Sequence, residues 1–417
     1  MLLRVLRRLL PREAKPDAAR LVLARGLRGF ADGMVSVLLA SYLLDLGFSA
    51  GQVGVLVTGT LLGSAALTLG VGVFGQLTNP RTILLTACLL MLATGAGFAS
   101  VTEFWPLLLI AIAGTLNPSG GDVSVFLPTE QAVLSGAASG QARTALFARY
   151  NLAGIFCAAV GALFSGVPVI VARWQDWDIV DAQRSGFVVY ALVAVLVALV
   201  YRELPRAESP GPRIRTAPLE KSRGIVLRLT ALFCIDSFGG GFAVQSLLAL
   251  WLFKRFEMPV ETAGAIFFAA GLLSATSQLV SAYLAERIGL IRTMVYTHLP
   301  SNVFLIVAAL MPSAPLAVAF LLLRTSMSQM DVPARQAYVM SVVPPEERAA
   351  AASVTNVPRA LAAALSPALA GYLLTTTTFG WPLILCGGLK IVYDLLLLAM
   401  FQSRQPGEET AAASAVP

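Results

Sequence analysis

The amino-acid sequence predicts an all-α membrane protein with about twelve transmembrane helices arranged in two six-helix bundles. Composition, the spacing of apolar stretches and an internal repeat lead to this prediction. Of the 417 residues, 57% are hydrophobic and 13% are charged, and the mean hydropathy is +0.77. A soluble domain is about a quarter charged, so this chain has too little polar surface to be one. Since a helix takes about 20 apolar residues to cross a bilayer, the chain has room for roughly twelve spans.

Charged, glycine-rich or proline-rich segments separate the apolar stretches and set the boundaries of the predicted helices. We number these helices as spans 1 to 12. The first six cover 19–46, 51–75, 81–100, 104–130, 143–168 and 183–201. The last six cover 224–253, 260–284, 292–312, 314–341, 350–375 and 381–402.

The segments outside the spans are polar or basic. Residues 1–18 interleave arginine with leucine before a proline, which favours a basic amphipathic helix on the membrane surface. Residues 202–223 combine prolines with mixed charges, as is typical of a linker. This linker separates an N-terminal bundle, 19–201, from a C-terminal bundle, 224–402, and residues 403–417 are predicted to be a disordered tail.

Lysine and arginine are distributed unequally between the two faces of the predicted membrane domain. The N-terminal segment, the linker and every second loop hold most of them, whereas the opposite face holds Arg173, Arg184, Lys254 and Arg255. By the positive-inside rule, both termini and the linker are predicted to be cytoplasmic. The net charge of +7 then reflects membrane topology and does not indicate a nucleic-acid partner.

An internal repeat relates the two halves of the chain. A single offset aligns residues 128–132 with residues 333–337, and it also aligns Arg143 with Arg348, Asn151 with Asn356, and Gly166 with Gly371. Asp32 of span 1 and Asp236 of span 7 occupy corresponding places inside apolar helices. Two six-helix halves related by a parallel repeat are typical of one class of transporter.

Loop motifs make the chain resemble the major facilitator superfamily over essentially its whole length. Between spans 2 and 3, residues 75–81 keep a decayed form of the family's loop signature, with Asn79 at its acidic position. Between spans 8 and 9, residues 282–289 keep the signature better, with Glu286. Residues 331–348 resemble the cytoplasmic end of span 10 in bacterial members.

This resemblance implies a protein of the bacterial cytoplasmic membrane with the fold of that superfamily. It also implies two bundles that alternate access to a central cavity lined by spans 1, 4, 7 and 10. The glycines of span 5 lack the spacing of the family's antiporter signature, so the resemblance implies neither a subfamily nor a direction of transport.

Asp32, Asp122 and Asp236 are three of the aspartates that lie inside predicted spans. A charge at the bilayer centre costs about 2.5 to 3.5 kcal/mol even on lenient scales, so each requires a physical reason. Arg28 lies four residues before Asp32 on the same helix face, and an internal ion pair is one interpretation. A titratable proton-coupling set is the other, which the matching places of Asp32 and Asp236 favour.

Glycine-rich segments beside these aspartates predict broken helices in spans 4 and 7, at residues 117–122 and 236–241. Broken helices are tolerated at membrane depth where they line a cavity. Arg28, Arg149 or Arg324 is predicted to be a countercharge that moves during transport. The polar residues predicted to line the substrate cavity are Arg28, Asn117, Arg149, Asn151, Gln245, Arg324, Gln329 and Asp331.

Glu130 and Arg335 occupy matching positions near the cytoplasmic ends of spans 4 and 10 and have opposite charges. Each is predicted to pair within its own half, Glu130 with Arg143 and Arg335 with Glu346 or Glu347. Pairs that break and form as the cytoplasmic side opens would act as a gate, and static anchoring of the helix ends is the alternative. The predicted gate residues are Glu130, Arg143, Glu286, Arg287, Arg335 and Arg348.

Other chemistry-bearing residues receive structural interpretations. His298 in span 9 is predicted to pack, and Lys390 and Asp394, four residues apart in span 12, are predicted to neutralise each other. With one histidine and four dispersed cysteines, the sequence predicts no metal site, no cofactor and no enzyme active site. It contains no P-loop motif, so ATP is not the predicted energy source.

These observations together predict a secondary transporter that moves a small organic solute by alternating access. Proton-coupled export is the first interpretation. The alternatives are proton-coupled uptake, facilitative uniport of a small polar metabolite, and a transporter-shaped sensor without turnover. The predicted partners are a small-molecule substrate, protons and the lipid bilayer, and the predicted functional unit is a monomer.

Overall fold

The computed structural model describes residues 7, 10–11, 13–74, 78–119, 124–205 and 219–401, and all regular secondary structure within these ranges is helical. The helices of the first half are α1 Pro16–Asp45, α2 Ala50–Phe74, α3 Pro80–Ser100, α4 Phe104–Ala113, α5 Phe126–Ser135, α6 Gly140–Phe164, α7 Val167–Gln175 and α8 Ile179–Arg202. Those of the second half are α9 Arg223–Gly241, α10 Gln245–Phe256, α11 Val260–Ile288, α12 Leu290–Leu310, α13 Ala314–Ser328, α14 Asp331–Ser341, α15 Arg348–Thr376 and α16 Trp381–Phe401, with a 3-10 turn at Pro345–Glu347.

Among the described residues, 10 segments are helical, long and apolar enough to cross a membrane. They correspond to the predicted spans other than 4 and 10. In those two places the chain forms pairs of shorter helices, α4 with α5 and α13 with α14. The all-helical membrane architecture is confirmed, whereas the count of twelve spans and the cytoplasmic location of both termini stay predictions.

The interruption predicted in span 4 is present. Helix α4 ends at Ala113 and α5 begins at Phe126, and the intervening described residues are not helical up to Val125. Asp122 and its two preceding glycines, which belong to the predicted break, lie outside the described residues. The same holds for most of the 202–223 linker, half of residues 1–18 and the whole predicted tail at 403–417.

The interruption predicted at residues 236–241 of span 7 is wrong in position. Helix α9 continues through Gly241, and the chain leaves the helical conformation only at residues 242–244. A Cβ atom on Gly241 would lie 2.2 Å from the Ala363 carbonyl oxygen. This glycine therefore permits close packing of α9 on α15 and does not end the helix.

The described residues divide into two compact units. Unit 1 lies within 1–212 and 244–272, and unit 2 lies within 213–243 and 273–417. Residues 244–272, which the sequence places in the C-terminal bundle, belong to unit 1 because α10 packs against α1 and α2. The backbone N–H of Ser246 also donates to the Pro118 carbonyl at 3.1 Å.

Unit 1 is built around α1, which packs against α6, α8 and α10 and is buried along most of its length. A Cβ atom on Gly33 would lie 1.9 Å from the Ala158 carbonyl oxygen, so α1 and α6 approach as closely as two helix backbones allow. In unit 2, α9 packs against α15 and α16, and α12 packs against α13, α14 and α16. The α1 with α6 and α9 with α15 contacts occupy matching places in the repeat.

Candidate functional site

A buried ion pair in unit 1 joins α1 to α5. The Arg28 guanidinium contacts the Glu130 carboxylate, and the two side chains are 1% and 0% exposed. The hydroxyl of Tyr150 donates to Glu130 Oε2 at 2.5 Å, and the hydroxyl of Tyr201 donates to Oε1 at 2.5 Å. Both carboxylate oxygens are therefore occupied, by donors from three other helices. We call these four residues the Glu130 cluster.

The arginine of this cluster has further contacts. Its guanidinium carbon lies 4.2 Å from the centroid of the Phe126 ring, and NH1 donates to Ser124 Oγ at 3.2 Å. Glu130 thus pairs within its own half, as predicted, but the predicted partner Arg143 is wrong. Arg143 is exposed near the start of α6, whereas a buried carboxylate requires a cation that is buried with it.

Asp32 lies one helical turn after Arg28 on α1 and is 7% exposed. Its carboxylate lies close to the side chains of Asn117, Arg25 and Arg28. The Asn117 side-chain oxygen accepts hydrogen bonds from the backbone N–H and the hydroxyl of Ser119. Asp32 therefore faces the interruption between α4 and α5, and the predicted Arg28–Asp32 pair is not the principal one, because Arg28 contacts Glu130.

The other predicted cavity residues of unit 1 are not members of the Glu130 cluster, although Arg149 and Asn151 flank Tyr150 in the chain. Arg149 is exposed on α6, and Asn151 beside it is half-buried. Gln245 is half-buried at the first position of α10. Asp122 lies outside the described residues, so its part in a proton-coupling set stays a prediction.

A larger network of buried charges occupies unit 2, centred on Asp236 of α9. Lys390 Nζ lies 2.6 Å from Asp236 Oδ1, and Arg335 NH1 lies 3.2 Å from Oδ2. His298 Nε2 lies 3.9 Å from the same carboxylate. Arg335 also pairs with Asp331 at 3.2 Å. Four helices, α9, α12, α14 and α16, thus contribute to what we call the Asp236 cluster.

This cluster contradicts two predictions, the Lys390–Asp394 pair of span 12 and the packing role of His298 in span 9. Lys390 does not pair with Asp394 but with Asp236, because α16 presents the lysine to α9. Asp394 instead accepts from Asn302 at 3.1 Å and lies 2.9 Å from His298 Nδ1. His298 is therefore part of a buried polar network and not a packing residue. The polar residues His298 and Asn302, four apart in an apolar span, were the signal for it in the sequence.

The predicted partners of Arg335 are also wrong. Glu346 is exposed. The carboxylate of Glu347, the last residue of the 3-10 turn, lies beside the beginning of α9 and accepts hydrogen bonds from the backbone N–H groups of residues 220–222 and from the Ser222 hydroxyl. Desolvation opposes ionisation of Glu347, but these hydrogen bonds outweigh it and hold its pKa below the ordinary value. Glu347 therefore caps α9.

The remaining predicted residues are distributed over unit 2. Glu286 and Arg287 are exposed at the end of α11, and the Arg287 guanidinium lies 4.4 Å from the centroid of the Tyr283 ring. Arg348 is exposed and donates to the Val343 carbonyl. Gln329 lies in the interruption between α13 and α14. The roles assigned to these residues in a gate or cavity stay predictions.

The Glu130 and Asp236 clusters correspond in the repeat. In each, an ion pair joins the first helix of a half, α1 or α9, to the helix that follows an interruption, α5 or α14. The charges are reversed, since the acid lies on α5 in unit 1 and the base lies on α14 in unit 2. Neither cluster provides a set of metal ligands, and the described residues contain none elsewhere.

Comparison with known sequences gives a family match over most of the chain. A family model described as Major Facilitator Superfamily matches residues 21–328 and 237–416. An uncharacterised membrane protein of Saccharomyces cerevisiae is 25% identical over 413 residues, which cover 90% of this chain and 92% of the yeast protein.

Several solved structures are similar to this one. A nucleoside transporter matches with a TM-score of 0.73 at 15% identity, over 92% of this chain and 100% of its own. An inward-facing bacterial homologue of the human lysosomal transporter Spinster matches with 0.71 at 15%, over 96% and 98%. The xylose transporter of E. coli matches with 0.71 at 14%, over 94% and 98%. Identities this low show a shared fold and nothing more.

Proposed function

The chain belongs to the major facilitator superfamily, and from this premise we propose that it is a secondary active transporter that exports a small organic solute in exchange for protons. It is an integral, multi-pass membrane protein with the fold of that family. We also propose that the protein acts as a monomer in a bacterial inner membrane. The excess of lysine and arginine in the N-terminal segment and the linker supports cytoplasmic termini.

The surroundings of Asp236 carry the proposal of proton coupling. This carboxylate is buried and faces Lys390, Arg335 and His298, which come from three different helices. Charges buried at membrane depth are costly and mark ion pathways and proton relays. A shift of one helix changes how many cations lie beside the carboxylate, and this alters its affinity for a proton between two conformations. Such a difference is what coupling requires.

Asp32 is the second proposed coupling residue. It matches Asp236 in the repeat, is buried on α1, and lies close to Asn117 at the interrupted part of span 4. Freed backbone groups at an interrupted helix can bind a substrate. A proton on Asp32 and a solute beside Asn117 would therefore influence each other over a short distance.

The test uses the full chain reconstituted in liposomes. A thermal-shift screen first identifies a solute that stabilises the purified protein, and the labelled solute is then followed under pH gradients of either sign. Exchange for protons predicts accumulation of the solute in the acidic compartment, because protons leave it as solute enters. Accumulation in the alkaline compartment would overturn export and indicate proton-coupled uptake.

Substitution of the carboxylate tests the residue. Asp236→Asn is expected to lose accumulation driven by the gradient while it keeps exchange of labelled for unlabelled solute, because asparagine cannot titrate. Asp236→Asn with Lys390→Gln keeps the charge balance if the single variant does not fold. Asp181→Asn, at an exposed carboxylate of α8, is the matched control. Wild-type accumulation by both Asp32→Asn and Asp236→Asn would refute coupling at these residues.

A further inference from the structure

Arg324 differs from the other buried or half-buried cations of unit 2. Arg335 and Lys390 pair with Asp236, and the Arg359 Nε donates to Ser237 Oγ at 2.9 Å. The Nε atom of Arg324 is buried and has no hydrogen-bond partner. Within the described part of the chain, the Arg324 side chain forms no ion pair and no hydrogen bond.

The position of Arg324 on α13 excludes a simple lipid-facing role. Leu321, one turn earlier on the same face, is 4% exposed, whereas Leu323 on the opposite face is 49% exposed. The hydroxyl of Ser301 on α12 donates to the Arg324 carbonyl at 3.2 Å. The thiol of Cys386 on α16 lies near the guanidinium. Arg324 thus lies on the face of α13 that packs inside the bundle.

The charges in the interior of unit 2 do not balance. In the described membrane-spanning helices of this unit, the buried or half-buried cations are Arg324, Arg335, Arg359 and Lys390, and the buried carboxylates are Asp236, Asp331 and Asp394. Each of the three carboxylates already has a partner, namely Lys390, Arg335 or His298. Arg324 and Arg359 therefore have no carboxylate partner among the described residues. Of these two, Arg359 has the Ser237 hydroxyl as a hydrogen-bond partner, whereas the Arg324 Nε has none.

We propose that Arg324 binds an oxyanion, a carboxylate or a phosphate group, on the transported solute. A guanidinium presents two parallel N–H donors that match these groups, and it stays charged at any physiological pH. A cation held at membrane depth without a counter-ion destabilises the folded protein, and an anionic ligand would supply the missing negative charge. The inference rests on the proposed transport function and assigns the class of its substrate.

The first test needs no identified solute. Arg324→Gln removes an uncompensated charge, so the ligand-free protein is expected to unfold at a higher temperature than wild type. Arg335→Gln breaks an existing pair and is expected to unfold at a lower temperature. Arg228→Gln, at an exposed position of α9, is the matched control and is expected to be unchanged. A lower unfolding temperature for Arg324→Gln would overturn the proposal, since it would indicate an internal partner.

The second test uses acetate and inorganic phosphate as probes, with chloride at equal ionic strength as reference. Either oxyanion is expected to raise the unfolding temperature of wild type above the chloride value, with at least a tenfold loss of affinity in Arg324→Gln and partial recovery in Arg324→Lys. No difference between oxyanions and chloride would overturn the proposal. An Arg324-dependent response to phosphatidylglycerol alone would overturn the assignment to a solute and identify a lipid headgroup.

These measurements separate the inference from the proposed function. Binding of acetate or phosphate requires no pH gradient, so it can succeed when Asp236→Asn still accumulates solute. That result would refute proton coupling at Asp236 and would still support the oxyanion site at Arg324. If gradient-driven accumulation depends on Asp236 but Arg324→Gln binds both oxyanions normally, coupling stands and the substrate class is wrong.

Discussion

The Glu130 cluster of unit 1 and the Asp236 cluster of unit 2 occupy matching places in the repeat but differ in composition. In unit 1, one carboxylate receives Arg28 and two tyrosine hydroxyls and is completely buried. In unit 2, one carboxylate faces two strong cations and a histidine, and further carboxylates surround it. Both halves of the repeat hold a buried ion pair at the matching place, but the helices that carry the acidic and the basic member are exchanged.

This difference separates a fixed contact from a variable one. The donors of the Glu130 cluster are an arginine and two tyrosines, which keep their protons at neutral pH. The Asp236 carboxylate has alternative cations on separate helices, so removal of one leaves another. A buried pair whose carboxylate has a single cation as partner contributes to stability. A carboxylate with several cations within reach suits a site that changes state during transport.

The strongest destabilisation is expected from a substitution in unit 1. Glu130→Gln leaves Arg28 as an unpaired buried cation, and loss of one member of such a pair costs about 3 to 5 kcal/mol of unfolding free energy. Thermal unfolding of the purified variant, together with its yield, measures the loss. Arg28→Met with Glu130→Leu removes both charges and is expected to recover most of it. Wild-type stability of Glu130→Gln would show that Arg28 does not depend on Glu130 for its charge to be compensated.

An intermediate effect is expected in unit 2. Lys390→Met leaves Asp236 paired with Arg335, so the loss is about that of one hydrogen bond to a charged group, 1.5 to 3 kcal/mol. Arg335→Met is expected to cost more, because Arg335 pairs with both Asp236 and Asp331. Unfolding temperatures of the two variants under identical conditions give the order. If Lys390→Met lost as much unfolding free energy as Glu130→Gln, Arg335 would not substitute for Lys390 as a partner of Asp236.

The smallest effect concerns the beginnings of the first helix in each half. In unit 2 the Glu347 carboxylate caps α9, whereas in unit 1 the start of α1 is tied by a backbone hydrogen bond from Lys15 to Ala137. Glu347→Gln is expected to cost about 1 kcal/mol at neutral pH, the usual value of a capping side chain.

That cost depends on pH in a predictable direction. Because the pKa of Glu347 is lowered on folding, its contribution is complete above the ordinary glutamate pKa of about 4.3. The contribution is lost as the pH falls through the lowered pKa of the folded protein. The difference in unfolding temperature between wild type and Glu347→Gln should therefore shrink on acidification below about pH 4. A difference that stays constant down to pH 3 would contradict ionic capping.

Local properties of the chain could be predicted because hydropathy and helix breakers act over a few neighbouring residues. The apolar stretches located the helices, and Pro118 with its neighbours located the interruption of span 4. The glycines at 239–241 misled for the same reason, since a local pattern does not distinguish a helix break from close packing against α15. In span 12, the spacing of Lys390 and Asp394 suggested a local pair where each residue has a partner on another helix.

The order of residues was enough to predict a helical membrane protein with two repeated halves and a few charges buried in its spans. The packing of the helices was needed to show which charges meet, namely Arg28 with Glu130, Lys390 with Asp236, and His298 with Asp394. It also left Arg324 without a counter-ion among the described residues. The physical reason is that apolar length is a property of a segment, whereas an ion pair depends on the distance between helices that lie far apart in the chain.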